Sequence, residues 1–257
     1  MKPHMRVSFI IPNWNHKELL DQCINSIKAL TGDAEKEIIV VDNASEDGSA
    51  ELLRVKHSDV ICHANSKNTG YAKATNIGAS MSTGQMLFLL NNDVRLYPDC
   101  LQRLLTCLDN NKRAGAVAPL LYYPDGRLQI SCRRFPSPAA LILEQIGIYE
   151  LGRFKKWKMT YEEHFCSDEI LQPMASVLLI KRECWNEVGT LDEGFPIFFN
   201  DVDWCYRLYT RTKYTIALCQ ASGAIHHEGA TVNRLGIRKK INFYRGLISF
   251  YMKHYLR

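Results

Sequence analysis

Two hydrophobic periods alternate along the first ninety residues, and that alternation limits what the chain can fold into. RVSFIIP (6–12) and KEIIVVDNAS (36–45) are short β-branched runs closed by turn residues, the pattern of strands buried on both faces. Between them, HKELLDQCINSIKAL places Leu19, Leu20, Cys23, Ile24, Ile27 and Leu30 at spacings of three and four, which predicts a helix with one apolar face. SEDGSAELLRVK opens with capping residues and predicts a second helix, with Gly48 weakening its first turn. A strand near DVICHA, a helix from about Ala72 and a strand over QMLFLLNND complete a β-α-β-α-β-α-β order. Such an order predicts an α/β domain with a mostly parallel central sheet flanked by helices, Rossmann-like, with ligands bound beyond the carboxyl ends of the strands.

That topology gives scattered polar residues one address. Pro12, Asn13 and Asn15 follow the first strand, Asp42 and Asn43 the second, and Asn91, Asn92 and Asp93 the fourth. Asn68, Gly70 and Asn76 lie on the intervening loop and helix. Each of these is also ordinary turn chemistry, since Asn and Asp bond their own backbone. Three polar strand ends together with the intervening loop point to a nucleotide cleft.

Composition narrows the class. At 257 residues with 46% hydrophobic side chains the chain can bury a real core, and a formal charge of +5 demands no nucleic-acid partner. Nine cysteines without a Cys-x-x-Cys pair suggest neither a disulfide framework nor a zinc knuckle, and so a reducing compartment. The N-terminal apolar run is too short for a signal peptide, and no stretch reaches spanning length, which leads us to expect a cytoplasmic chain.

Four segments, VSFIIPNWNHKELLDQCINSI, EIIVVDNASEDGS, NTGYAKATNIG and LFLLNNDV, occur in the order seen in the inverting GT-A glycosyltransferases of family 2, and the chain most resembles the rhamnosyltransferase-type members. The resemblance covers residues 6 to about 232. It implies a GT-A fold, divided here into a nucleotide-binding half over 1–95 and an acceptor and catalytic half over 96–232. It implies that Asp42 reads the nucleobase of a dTDP- or UDP-linked sugar, and that Asp93, last member of a degenerate DXD element, serves Mg2+ or Mn2+. A His of the segment AIHHEGAT, His226 or His227, would join it as a metal ligand.

The stretch LDEGFPIFFNDVDWCYRLY resembles the family signature that carries the catalytic base, which falls on Asp201; Asn200 stands where relatives carry Glu. Loss of that charge predicts a lower pKa for the base. Asp201 and Asp203 also suit the first turn of a helix, where carboxylates meet the positive end of its dipole, and for Asp203 a structural pairing with Arg207 is expected. Upstream, Ala175-Ser176 replaces a common Gly-Ala on the acceptor side, which narrows the backbone approach there. Arg133 and Arg134 suit either a phosphate or acceptor contact or a solvated surface. Residues 146–170 have no periodicity and read as a mobile loop.

The tail changes character. Ile237, Ile241, Tyr244, Ile248, Tyr251 and Tyr255 recur every three or four residues, with Arg238, Asn242, Arg245, Ser249 and Lys253 on another face. An amphipathic, basic C-terminal helix over 233–257 follows. It fits contact with an anionic membrane surface, useful for a lipid-linked saccharide acceptor, and it equally fits packing on the domain or in a homodimer. The whole predicts metal-dependent inverting transfer of a sugar, with rhamnose favoured by resemblance, to a cell-surface glycan or lipid-linked saccharide. A catalytically silent nucleotide-sugar-binding or membrane-tethering partner is the competing reading, kept open by the single carboxylate and Asn200.

Overall fold

The computed structural model describes residues 5–136, 158–195, 197–227 and 237–256, and in the last segment the side chains from 239. The expected alternation is present. Strand β1 (Arg6–Asn13), helix α1 (Lys17–Lys28), β2 (Glu35–Asp42), α2 (Ser49–Lys56), β3 (Ile61–Ala64), α3 (Tyr71–Met81) and β4 (Met86–Leu90) follow in order. Then come β5 (Val94–Leu96), α4 (Cys100–Asn110), β6 (Ala114–Tyr122), β7 (Cys132–Arg133), α5 (Tyr161–Cys166), β8 (Glu169–Ile170), β9 (Gln172–Pro173) and β10 (Val177–Lys181). Helices α6 (Arg182–Val188) and α7 (Asn200–Arg211), strand β11 (Thr215–His226) and helix α8 (Ile237–His254) complete the chain.

The central sheet has nine strands, ordered β3-β2-β1-β4-β10-β6-β11-β5 with β8 paired to β11. Strands β1, β2, β3 and β4 pair in parallel, and β6 with β11 likewise. Strand β10 runs antiparallel between β4 and β6, and β5 and β8 run antiparallel to β11. The sheet is therefore mostly parallel, with helices on both faces. One core cluster joins α1 and α4 to one face through Leu20, Ile24, Ile27, Leu101 and Leu104. The other joins α6 and α7 through Trp185, Trp204 and Leu208. Helix α3 lies close to the sheet because Gly78 has no side chain: a Cβ there would meet Ile10 Cγ2 at 2.6 Å.

Two expectations are corrected. Part of the stretch expected to be a loop is helix α5, whose Thr160 and Glu163 form a reciprocal capping box that satisfies amides at its first turn; the rest of that stretch, to 157, lies outside the described residues. Helix α8 is formed, but the expected seam does not pack on the domain. Phe243, Gly246, Leu247, Phe250 and His254 face inward, while Ile241, Tyr244, Ile248 and Tyr255 are exposed. Tyr251 sits between these faces, its hydroxyl donating to Pro136 O at 2.9 Å. The helix carries two apolar stripes, and sequence spacing does not say which one meets the core.

Candidate active site

The carboxyl ends of β1, β2 and β4 bring the strand-end residues together. Asn13 is fully buried; its amide donates to Asp42 Oδ1 at 2.8 Å, and its Oδ1 accepts from Asn92 Nδ2 at 2.7 Å. Asp42 also accepts from the amide and hydroxyl of Ser45, at 2.9 and 2.6 Å. Three of the roughly four lone-pair positions of its carboxylate are thus used within the protein. Asn15 bonds both ends of the same loop: its N–H donates to Ser45 Oγ, and its side-chain oxygen accepts from Glu46 N. Asn15, His16 and Ala44 all adopt left-handed backbone, which is strained for residues other than glycine and concentrates at functional loops.

Asn43, Asn68, Gly70 and Asn76 serve the neighbouring loop. Asn43 Oδ1 accepts from Asn65 and Thr69 and its amide donates to Gly70 O, while Asn68 Oδ1 accepts from Gly70 N. Asn76 exchanges two bonds with the backbone of Leu191, so its amide holds the loop before α7. Pro12 pairs in register with Val41 and carries no polar side chain toward the row.

The pairing of β11 with β5 sets His226 opposite Val94 and thus beside Asp93. His226 Nε2 lies 3.4 Å from Asp93 Oδ1, and both residues are buried. That distance is long for a hydrogen bond and close to the separation of two ligands each about 2.1 Å from one ion. Asp93 Oδ1 has no hydrogen-bond partner, an unusual state for a buried carboxylate oxygen. An orphaned oxygen facing an imidazole nitrogen fits a divalent cation, whose other ligands would come from phosphate and water. Among the described residues no third Asp, Glu, His or Cys joins them. His227 instead bonds Asp93 through its backbone N–H, at 3.1 Å from Asp93 O.

Asp201 is the second residue of α7, whose N-cap Phe199 holds a left-handed conformation at the helix entrance. Gln172 Nε2 approaches Asp201 Oδ2 at 3.3 Å. Burial pushes the Asp201 carboxyl up from the usual carboxylate range, with the positive charge of Arg133 and backbone amides of Val202 and Ala175 opposing it. Asn200, beside it and without the charge a Glu would carry, spends its amide on Ile197 O. Asp203, by contrast, is fully buried and holds Arg207 at 2.9 Å, the structural pairing expected of it. Arg134 pairs with Glu163, whereas the positive charge of Arg133 acts on Asp201.

One short stretch ties the two carboxylates into one site. Gln172 and Ala175 contact Asp201, Ala175 O accepts from Tyr71 Oη at 3.0 Å, and Ser176 bonds Asn91 through backbone and side chain. Tyr71, raised by burial, feels the negative charge of both Asp201 and Asp93. The sequence reading missed Gln172 and Tyr71. It passed over Gln129 as well, whose Oε1 lies 2.7 Å from His226 Nδ1.

The profile of glycosyl transferase family 2 matches residues 8–167. The chain belongs to that family. Among curated relatives of this family 2 chain, an N-acetylglucosaminyl-diphospho-decaprenol L-rhamnosyltransferase of Mycobacterium tuberculosis is 26% identical over 221 residues, 77% of this chain and 68% of the relative. An uncharacterized protein of Sinorhizobium fredii, y4gI, is 29% identical over 88% of this chain, which spans only 25% of that protein. Two solved structures share the GT-A fold: GalNAc-T7 with UDP, GalNAc and Mn2+ (TM-score 0.65, 16% identity, 88% of this chain and 44% of that one) and S. aureus TarS 1-349 with UDP (TM-score 0.60, 14% identity, 86% and 60%).

Proposed function

We propose that this family 2 domain transfers a sugar, with inversion, from a nucleoside-diphosphate donor to a saccharide acceptor. The observation that carries the reading is the pairing of an orphaned Asp93 oxygen with His226 on the same edge as the half-buried, desolvated Asp201, which we assign as the base. Asp201, with a pKa lifted toward that of a useful base, takes the proton of the acceptor hydroxyl, which attacks the anomeric carbon from the face opposite the diphosphate. Asp42 contributes its remaining acceptor position to a pyrimidine imide N–H, within the Asn13–Asn15–Asn43–Asn92 framework and the Asn68–Gly70–Asn76 loop. Asp93 and His226 would hold Mg2+ or Mn2+, with His227 steadying Asp93 through its backbone. Such a cation supplies charge neutralisation for the departing nucleoside diphosphate. Relatives that are named rhamnosyltransferase support rhamnose as the sugar, and neighbours solved with UDP support a nucleoside-diphosphate donor, which we take as dTDP- or UDP-linked.

A lipid-linked acceptor is supported by helix α8. Ile241, Tyr244, Ile248, Met252, Tyr255 and Leu256 are 44–77% exposed along one side. Residues 237–256 hold five Lys or Arg and no Asp or Glu, and of the five Lys253 is spent on Asp192 and Asp203 of the domain. A face of one sign of charge repels a second copy of itself and attracts anionic headgroups. The membrane surface, on the cytoplasmic side, is therefore the occupant we favour over a homodimer. No helix among the described residues is long and apolar enough to cross a membrane.

Nucleotide-sugar binding and turnover across a donor panel, with and without Mn2+, test the central reading. Asp93→Ala should lose cation-dependent binding, while Asp201→Asn should keep binding and lose turnover. If wild type binds no nucleotide sugar with any cation, transfer is excluded and a tethering role takes its place. For α8, Ile248→Glu with Met252→Glu should abolish sedimentation with vesicles containing anionic lipid; unchanged sedimentation, or dimerisation through this face, would sink the membrane assignment.

A further inference from the structure

We propose that Gln129 is a positioning residue: its side-chain oxygen fixes the tautomer of His226, leaving the Nε2 lone pair facing Asp93 for a divalent cation. This rests on the reading of Asp93 and His226 as cation ligands given above. The two side chains are 97 residues apart in sequence and both buried, Gln129 at 1% and His226 at 2% exposure. Their contact, 2.7 Å between Oε1 and Nδ1, is short and well within hydrogen-bond range.

The fold delivers Gln129 to this place through a turn. Pro124-Asp125-Gly126 reverses the chain after β6, with Gly126 at φ +85° and Tyr123 O accepting from Gly126 N. Leu128 then bridges back to Tyr122, and Gln129 N donates to Leu121 O at 2.7 Å. Strand β11 lies parallel to β6 with Ile225 opposite Tyr122, so the returning segment runs close to His226. The backbone is pinned on both sides of Gln129, and its side chain is aimed by that pinning.

The tautomer follows from the donor and acceptor inventory. A carbonyl oxygen only accepts, so the proton of the neutral ring sits on Nδ1 and Nε2 carries the lone pair. The reverse arrangement, an amide N–H donating to Nδ1, would put a proton on Nε2 and leave it to bond Asp93. At 3.4 Å, with Asp93 Oδ1 bonded to nothing, that bond is not made. A hydrogen bond behind a ligating imidazole is what orients the ring in metal sites generally, and its loss weakens metal affinity about 10–100-fold.

The test uses the full chain with 15N-labelled histidine at a pH where the ring is neutral, without metal. His226 should report the Nδ1–H tautomer in wild type. It should do so equally in Gln129→Glu, because a carboxylate can only accept. In Gln129→Met, of similar volume, the ring should move toward the Nε2–H form that neutral imidazole favours in water. Mn2+ titration in the presence of UDP should then show affinity about 10–100-fold weaker in Gln129→Met and at least wild-type in Gln129→Glu. A different tautomer in Gln129→Glu than in wild type, or equal Mn2+ affinity in Gln129→Met and wild type, overturns the proposal. Gln129→Glu decides the point by its tautomer even if Gln129→Met does not fold. Should Asp93→Ala leave Mn2+ affinity untouched, the cation reading itself fails, whatever the ring tautomer.

Discussion

Asp201 serves two opposed ends. Desolvation favours its neutral form, yet the base proposed here must be ionised to act. A carboxyl whose folded pKa is raised contributes stability that is full below its unfolded value and is lost as pH rises through the folded value. Asp201→Asn is therefore expected to raise the melting temperature at neutral pH while lowering turnover by about 10²–10⁴-fold, read by calorimetry and by a donor-consumption assay. The acid limb of the pH–rate profile should fall above the ordinary carboxylate pKa of 3.8, and a limb at or below it would show that Asp201 is not the base. Asp93 is the contrasting carboxylate, with one oxygen orphaned beside an imidazole.

At the scale of the element, α8 is held by charge as well as by its inward aromatic residues. Asp203 on α7 receives Arg207 from its own helix at 2.9 Å, and Lys253 and His254 from α8 at 2.6 and 2.7 Å. Asp203→Ala would strand a buried guanidinium, a loss expected to cost about 3–5 kcal/mol. Denaturant unfolding should show that loss, and hydrogen exchange should show faster opening of 237–254. Gly246 makes the second contact: a Cβ there would lie 2.8 Å from the Phe199 ring and 3.0 Å from Phe198 O. Gly246→Val should consequently loosen α8, with the same exchange signature and a smaller effect on the sheet. If α8 exchange is unchanged in both variants, the anchoring assigned to Asp203 and Gly246 is wrong.

For the molecule as a whole, the site is assembled at the carboxyl edge of the sheet by β1, β2, β4, α7 and β11, with the segment from Gln172 to Ser176 bridging its two sides. A ligand bound there ties together distant parts of the chain and should stabilise the native state as a unit. UDP with Mn2+ at a hundred times the dissociation constant is expected to add about 2.7 kcal/mol to unfolding. Thermal melts should shift upward with both present, and by less when Asp93 is replaced by Ala. A shift that is the same with or without Mn2+ would argue that nucleotide binds without the cation.

Much of this arrangement can be read locally. The β-α alternation, the polar strand ends and the helix that carries Asp201 all appear in the sequence because each depends on neighbours within a few residues: side-chain period, capping and turn chemistry act at short range. The tertiary structure alone decided the rest. Strand β10 entering antiparallel between β4 and β6 is a pairing across some ninety residues, and no local period encodes it. Helix α8 has two apolar stripes of similar spacing, and only the surface offered by Phe199, Val202 and Asp203 selects which one is buried. Asp201 rises in pKa because of what surrounds it in space, not because of Asn200 beside it in sequence. Gln129 finds His226 because a turn and a parallel strand pairing close the distance between them. Spacing along a chain names the candidates, whereas desolvation, tautomer and facing direction belong to contacts that exist only after the chain has closed on itself.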